Sequence, residues 1–161
     1  MTHADLVPRA VAWLRRAKRC SIVFSEMTTG STEVPDAIGW RMGRSTVVEV
    51  KVSRGDFHNE KTRKLTSRFA DCGMGFQRYY MVPEGLLTPE EIPEWWGLVY
   101  ALPKRKYEMV KEAPFREKYD HVSELQMLMS AHSRHLSGVQ YHTKTGRWDP
   151  VIKLNWDKES P

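Results

Sequence analysis

Two carboxylates and an amine in one short stretch are the residues of this chain best suited to chemistry. Within residues 32–57, Pro35-Asp36 stands thirteen positions ahead of Glu49-Val50-Lys51. Magnesium takes hard oxygen ligands and is commonly held by one or two carboxylates together with water and substrate phosphate. Held in that way, it polarises a phosphodiester and acidifies a bound water for in-line attack. A lysine beside it orients that water or stabilises the charge growing on the phosphate oxygens. Asp36, Glu49 and Lys51 together therefore point to metal-assisted phosphate chemistry.

A β-hairpin is the element that would bring them together. Residues 46–52 are mostly β-branched and read as a strand, with Met42-Gly43 as the reversal point. A hairpin centred there pairs positions whose numbers sum to 85, which sets Asp36 opposite Glu49. Directly opposed side chains share a face and lie ~5 Å apart at Cβ. Alternation puts Lys51 on the face of Glu49, while Val48, Val50 and Val52 point the other way, toward a core. The same spacing also suits a surface hairpin carrying a cross-strand charge trio.

Pro-Asp, a hairpin and Glu-x-Lys together resemble the PD-(D/E)xK nuclease superfamily, with Asp36, Glu49 and Lys51 at the signature positions. Many members add a glutamate from the first helix or strand, and Glu26, closing the apolar run SIVFSE, is the matching candidate. The string EVKVSRGDF at 49–57 is similar to the MmcB-like DNA-repair branch and related phage proteins, where a comparable segment leads into a basic helix. YYMVPEG at 79–85 and WGLVY at 96–100 are similar to that branch's last core strands, and the likeness extends over about residues 5–101. The resemblance implies a restriction-endonuclease-like fold and cleavage of DNA by Mg²⁺ or Mn²⁺. It also implies metal ligation by Asp36, Glu49, the Val50 carbonyl and Glu26, with Lys51 as the fourth catalytic group. Two departures stand out: Glu26 lies in or beside a strand, and the segment after Phe57 reads His58-Asn59-Glu60-Lys61. An inactive nucleic-acid-binding or adaptor protein on the same fold is the alternative.

Bulk properties are compatible with a polyanionic partner such as DNA. The 161 residues carry a formal charge of +5 and a pI near 9.3. The two cysteines, Cys20 and Cys72, are too few for a disulfide framework and suit a reducing cytoplasm. The sequence has no long apolar run, so no membrane association is expected. A homo-oligomer is compatible with the sequence.

Around the hairpin, residues 5–19 read as a helix with Val7, Ala10, Val11, Leu14 and Ala17 on one stripe. Residues 20–24 read as a short buried strand and 27–33 as a loop. Residues 56–71 read as a second helix ended by Gly73, with Leu65, Phe69 and Cys72 on one stripe and Lys61, Lys64 and Arg68 on the adjacent one. From Lys51 to Arg68 there are six basic and two acidic residues, so Lys61, Lys64, Arg68 and Arg54 are the expected phosphate contacts. A solvated helix face accounts for that row equally well. Residues 77–82 and 97–102 read as strands. The run 103–118 includes a further short strand, and 120–136 reads as a long helix with Val122, Leu125, Leu128, Met129, His132 and Leu136 inward.

His132 and His135 lack a third ligand at comparable spacing, which argues against zinc. The expected fold is α/β: a four- or five-stranded mixed sheet flanked by helices, with a nuclease-like core over 1–102 and a strand and helical C-terminal extension of the same domain over 103–161.

Overall fold

The hairpin forms in the register its residue pattern dictates. The structure, a computed structural model, describes residues 1–31, 33–59, 73–137, 139–142 and 147–150. Strands β2 (Ala37–Arg41) and β3 (Arg44–Val50) pair antiparallel, with Ala37 opposite Val48 and Arg41 opposite Arg44. Met42 and Gly43 at the turn have φ of 50° and 75°. This is the two-residue turn whose backbone twist matches that of the strands, and glycine takes its second position without a Cβ penalty.

Two edges extend the hairpin into a sheet. Strand β1 (Ile22–Ser25) lies antiparallel to β2, while β4 (Gln77–Pro83) and β5 (Gly97–Ala101) follow β3 in parallel. Strand β6 (Tyr107–Lys111) closes the far side antiparallel to β5, giving six strands in the order β1-β2-β3-β4-β5-β6. The expected four or five strands are therefore too few. After β5 the chain turns at Pro103–Arg105 and satisfies the open ladder of β5 with its own next segment. The sequence pattern of residues 20–24 predicts a buried strand. Strand β1 is a sheet edge instead, with one neighbour and with Ile22 and Ser25 exposed.

The two faces of this mixed sheet are covered differently. Helix α1 (His3–Arg16) starts at a capping box: Asp5 N–H donates to Thr2 Oγ1 at 3.2 Å, and Thr2 N–H donates to Asp5 Oδ2 at 2.7 Å. It lays Leu6, Val7, Ala10, Trp13 and Leu14 on Ala37, Val48, Val50, Tyr79 and Met81 in one continuous cluster. Gly97 is required there, because a Cβ would collide with the Tyr79 ring and come within 2.7 Å of the Lys111 carbonyl.

On the opposite face there are two clusters. Helix α2, described over residues 54–59, brings Phe57 onto Tyr80, Val82, Leu87, Trp96 and Leu98. Helix α3 (His121–Ser137) brings Met127 onto Ile38, Trp40, Val47 and Met74. A separate antiparallel pair, β7 (Val139–His142) and β8 (Arg147–Pro150), follows it. Among the described residues no helix is long and apolar enough to cross a membrane.

Helix α3 is rotated from its apolar stripe. Val122, Leu125 and Met129 are 66, 58 and 61% exposed, and His132 is exposed too, whereas Ser123, Glu124 and Met127 are buried and Leu128 is half-buried. The Leu136 side chain lies outside the described residues. Glu124 is the cause. Its carboxylate accepts hydrogen bonds from Ser45 Oγ at 2.6 Å, Gly75 N–H at 2.7 Å and Trp40 Nε1 at 3.1 Å. A carboxylate satisfied by three donors sets the helix rotation against the pull of exposed apolar area.

Candidate functional site

The strand registers place three carboxylate residues in one backbone row. Ser25 opposes Ala37, so the next position sets Glu26 beside Asp36, and the Glu26 N–H donates to the Asp36 carbonyl at 3.2 Å. Ala37 opposes Val48, so the same step sets Asp36 beside Glu49, and Glu49 in turn opposes Tyr80 on β4. The row crosses the sheet at the carboxyl end of β3, where β3 runs parallel to β4. Open α/β sheets commonly bind ligands beyond the carboxyl ends of their strands.

The side chains diverge from that row. Pro35 has no N–H for a ladder, and β2 begins only at Ala37. Asp36 Oδ2 instead accepts the Val50 N–H at 2.7 Å, closing the end of the ladder with a side chain. Its Oδ1 lies 3.0 Å from His3 Nε2, in the first turn of α1. Glu26 has a left-handed φ of 48° and lines a cavity of about 400 Å³ with Ala4, Val7, Pro8 and Val11 of α1. Glu26 and Asp36 are thus directed to the α1 side. Glu49 and Lys51 alternate onto the opposite face and are 8 and 7% exposed. The Lys51 N–H continues the ladder to the Met81 carbonyl at 3.1 Å.

Among the described residues, no three histidine, cysteine, aspartate or glutamate side chains stand close enough together to hold a metal ion. The donor types suit a hard cation: two carboxylates on residues directly opposed on adjacent strands, with the Val50 carbonyl between Glu49 and Lys51, although the two side chains leave opposite faces of the sheet. To join it, Asp36 would exchange its contact with His3 or with Val50 for the ion.

Nothing in the sequence points to His3, because nothing local links a helix N-terminus to a residue 33 positions away. Arg78 is a second such residue. It is 4% exposed on β4, on the face of Glu49, ion-paired to Glu33 and stacked 4.3 Å over the Trp96 ring. Trp96 stacks in turn on Tyr80, at 4.2 Å between centroids and 15° between planes. Glu33 also accepts the Met74 N–H at 2.6 Å, so it ties the segment before β2 to the start of β4. The available signal was a charged residue inside the otherwise apolar strand QRYYMV.

Of the expected phosphate contacts, Arg54 is tied to the Leu86 carbonyl at 3.0 Å and to the Glu91 carboxylate, with its side chain 54% exposed. Lys61, Lys64 and Arg68 lie outside the described residues, as do Leu65, Phe69 and Cys72.

No protein-family model matches the chain, and no curated protein matches it. A solved structure of a protein of unknown function from Silicibacter pomeroyi is similar to it, with a TM-score of 0.61 and 20% identity. The match covers 86% of this chain and 91% of that one. At that identity the likeness is one of fold. The chain belongs to the α/β class, with helices flanking a six-stranded mixed sheet.

Proposed function

We propose that this protein is a divalent-metal-dependent nuclease hydrolysing DNA phosphodiester bonds, in DNA repair or phage DNA processing. The observation that carries the reading is the row Glu26–Asp36–Glu49 at the carboxyl end of β3, with Lys51 buried beside Glu49. A Mg²⁺ or Mn²⁺ ion would supply Lewis acidity toward the phosphate and an acidified water. Asp36, Glu49 and the Val50 carbonyl would hold it, with Glu26 adding a carboxylate directly or through water. The Lys51 ammonium would orient the attacking water or stabilise charge on the phosphate oxygens. Arg54, Lys61, Lys64 and Arg68 would grip the DNA backbone without reading its sequence.

A second reading has its own support. Both oxygens of Asp36 already have partners, in His3 and Val50, which favours a protein that binds nucleic acid on this fold without turnover. The two readings separate on a panel of labelled duplex, nicked, flapped, branched and single-stranded DNAs, plus RNA, incubated with Mg²⁺, Mn²⁺ or EDTA. Cleavage of DNA in Mg²⁺ or Mn²⁺ that stops in EDTA supports the nuclease. Binding that ignores both the ion and Glu49 supports the binder.

A further inference from the structure

We propose that the cleft at the hairpin end of the sheet is a nucleotide-binding site, taking a phosphate on Arg41 and Arg44 and a base on Phe115. The cleft has a volume of about 610 Å³ and is lined by Lys18, Arg41, Arg44, Phe76, Glu112 and Phe115, among others. It opens on the α1 side of the sheet, at the opposite end of β3 from Glu49. Arg44 and Glu49 are five residue steps apart along β3, or ~17 Å.

Its lining separates into a neutralised part and an available part. Glu112 is the carboxylate of the lining, and it is already satisfied. Lys18 Nζ donates to it at 2.8 Å and to the Tyr79 hydroxyl at 2.6 Å, the Tyr79 hydroxyl donates to Glu112, and Gln77 Nε2 donates to it at 3.2 Å. Burial first, then the hydrogen bond and charge of Glu112, push the Tyr79 phenol far above its ordinary range, so it remains a donor. Arg41 and Arg44 are exposed and have no carboxylate partner among the described residues. The positive charge left over in the cleft is therefore theirs.

An aromatic surface adjoins it. Phe76 and Phe115 stack with centroids 5.0 Å apart and planes 22° apart, and the Arg44 guanidinium lies 5.0 Å from the Phe76 centroid and 5.9 Å from that of Phe115. Phe115 remains 62% exposed although one ring face is covered by Phe76. An exposed ring beside two uncompensated guanidiniums offers what a nucleotide presents: a flat π-face and an anion. A bare inorganic anion would leave the ring unused, and a neutral apolar ligand would leave the arginines unused. The nucleotide could be free or an unpaired unit of a nucleic-acid strand. The site does not rest on the nuclease reading, since it shares no residue with it.

The test is binding of fluorescently labelled oligothymidine in EDTA, with dTMP and inorganic phosphate as competitors. Wild-type protein and Glu49→Gln should bind alike. The double variant R41A/R44A, and Phe115→Ala, should each weaken binding about tenfold or more. Phe115→Leu, which keeps the bulk and loses the π-face, should resemble Phe115→Ala while its thermal unfolding stays that of wild type. Competition by dTMP at concentrations matching the oligomer identifies a free nucleotide as the ligand, and binding of the oligomer alone identifies a strand. Wild-type affinity in either the arginine or the phenylalanine variants, inorganic phosphate competing as well as dTMP, or no binding at all would overturn the site. Loss of cleavage in Glu49→Gln with binding intact would leave both assignments standing, so the two can fail separately.

Discussion

The two faces of the central sheet contrast. Under α1 lies one unbroken apolar cluster running from Leu6 to Ala113. On the other face, Phe57 with Trp96 and Met127 with Trp40 form two clusters, and the charged residues Glu49, Lys51 and Arg78 are buried on that same face. Burying a charge costs several kcal/mol unless it is paired and hydrogen-bonded, whereas burying valine and leucine is favourable throughout. The α1 face therefore supplies the sheet's largest apolar cluster, with Asp36 and Glu26 turned toward α1 at its edge. The other face combines apolar clusters with buried charge, where Arg78 is held by Glu33 and by the Trp96 ring.

The largest expected effect tests whether that seam does chemistry. Glu49→Gln removes a carboxylate charge while keeping its shape, and DNA cleavage in Mg²⁺ should fall below detection with the unfolding midpoint unchanged or raised. Wild-type turnover would remove Glu49 from the site. Glu33→Ala comes next, because it leaves the Arg78 guanidinium buried without its carboxylate. The expected cost is about 3–5 kcal/mol in urea unfolding. A loss below about 1 kcal/mol would mean that the Trp96 ring, or solvent, carries the arginine instead.

Lys51→Ala should lower the cleavage rate ~10²–10³-fold while calorimetry finds metal affinity nearly intact. Metal affinity lost with the rate preserved would exchange the roles of Lys51 and the carboxylates. A smaller effect is expected at Glu112. Burial alone would raise its carboxyl pKa, but hydrogen bonds from Lys18 and Tyr79 prevail and hold it below the ordinary 4.5. With the folded value depressed, Glu112 stabilises the protein above about pH 4.5 and that contribution is lost as pH falls through the lower folded value. Glu112→Gln should thus cost less than about 1 kcal/mol at pH 7 and nothing at low pH, as pH-dependent thermal unfolding would measure. The smallest change is expected at Val122→Ser on α3. It should stay within about 0.5 kcal/mol, because that side chain is exposed rather than inward. A cost of 2 kcal/mol or more, typical of a core truncation, would return the apolar stripe to the interior.

What the sequence determined alone is the local part. Strand alternation and a two-residue turn are properties of neighbouring residues, so the register of β2 on β3, and with it Asp36 beside Glu49, could be read directly. The same holds for most of the apolar stripe of α1, although the helix runs from His3 to Arg16 rather than over residues 5–19 and leaves Ala17 exposed beyond its end. Tertiary structure decided the rest. The rotation of α3 follows from Glu124 finding donors at residues 40, 45 and 75, distant in sequence. Strand β6 follows from an open edge on β5, and the exposure of β1 from its place at the other edge. His3 meets Asp36, and Arg78 meets Glu33 and Trp96, only after the sheet has assembled. Hydrophobic period and turn chemistry act over a few residues, whereas polar groups take whichever partner the assembled fold presents.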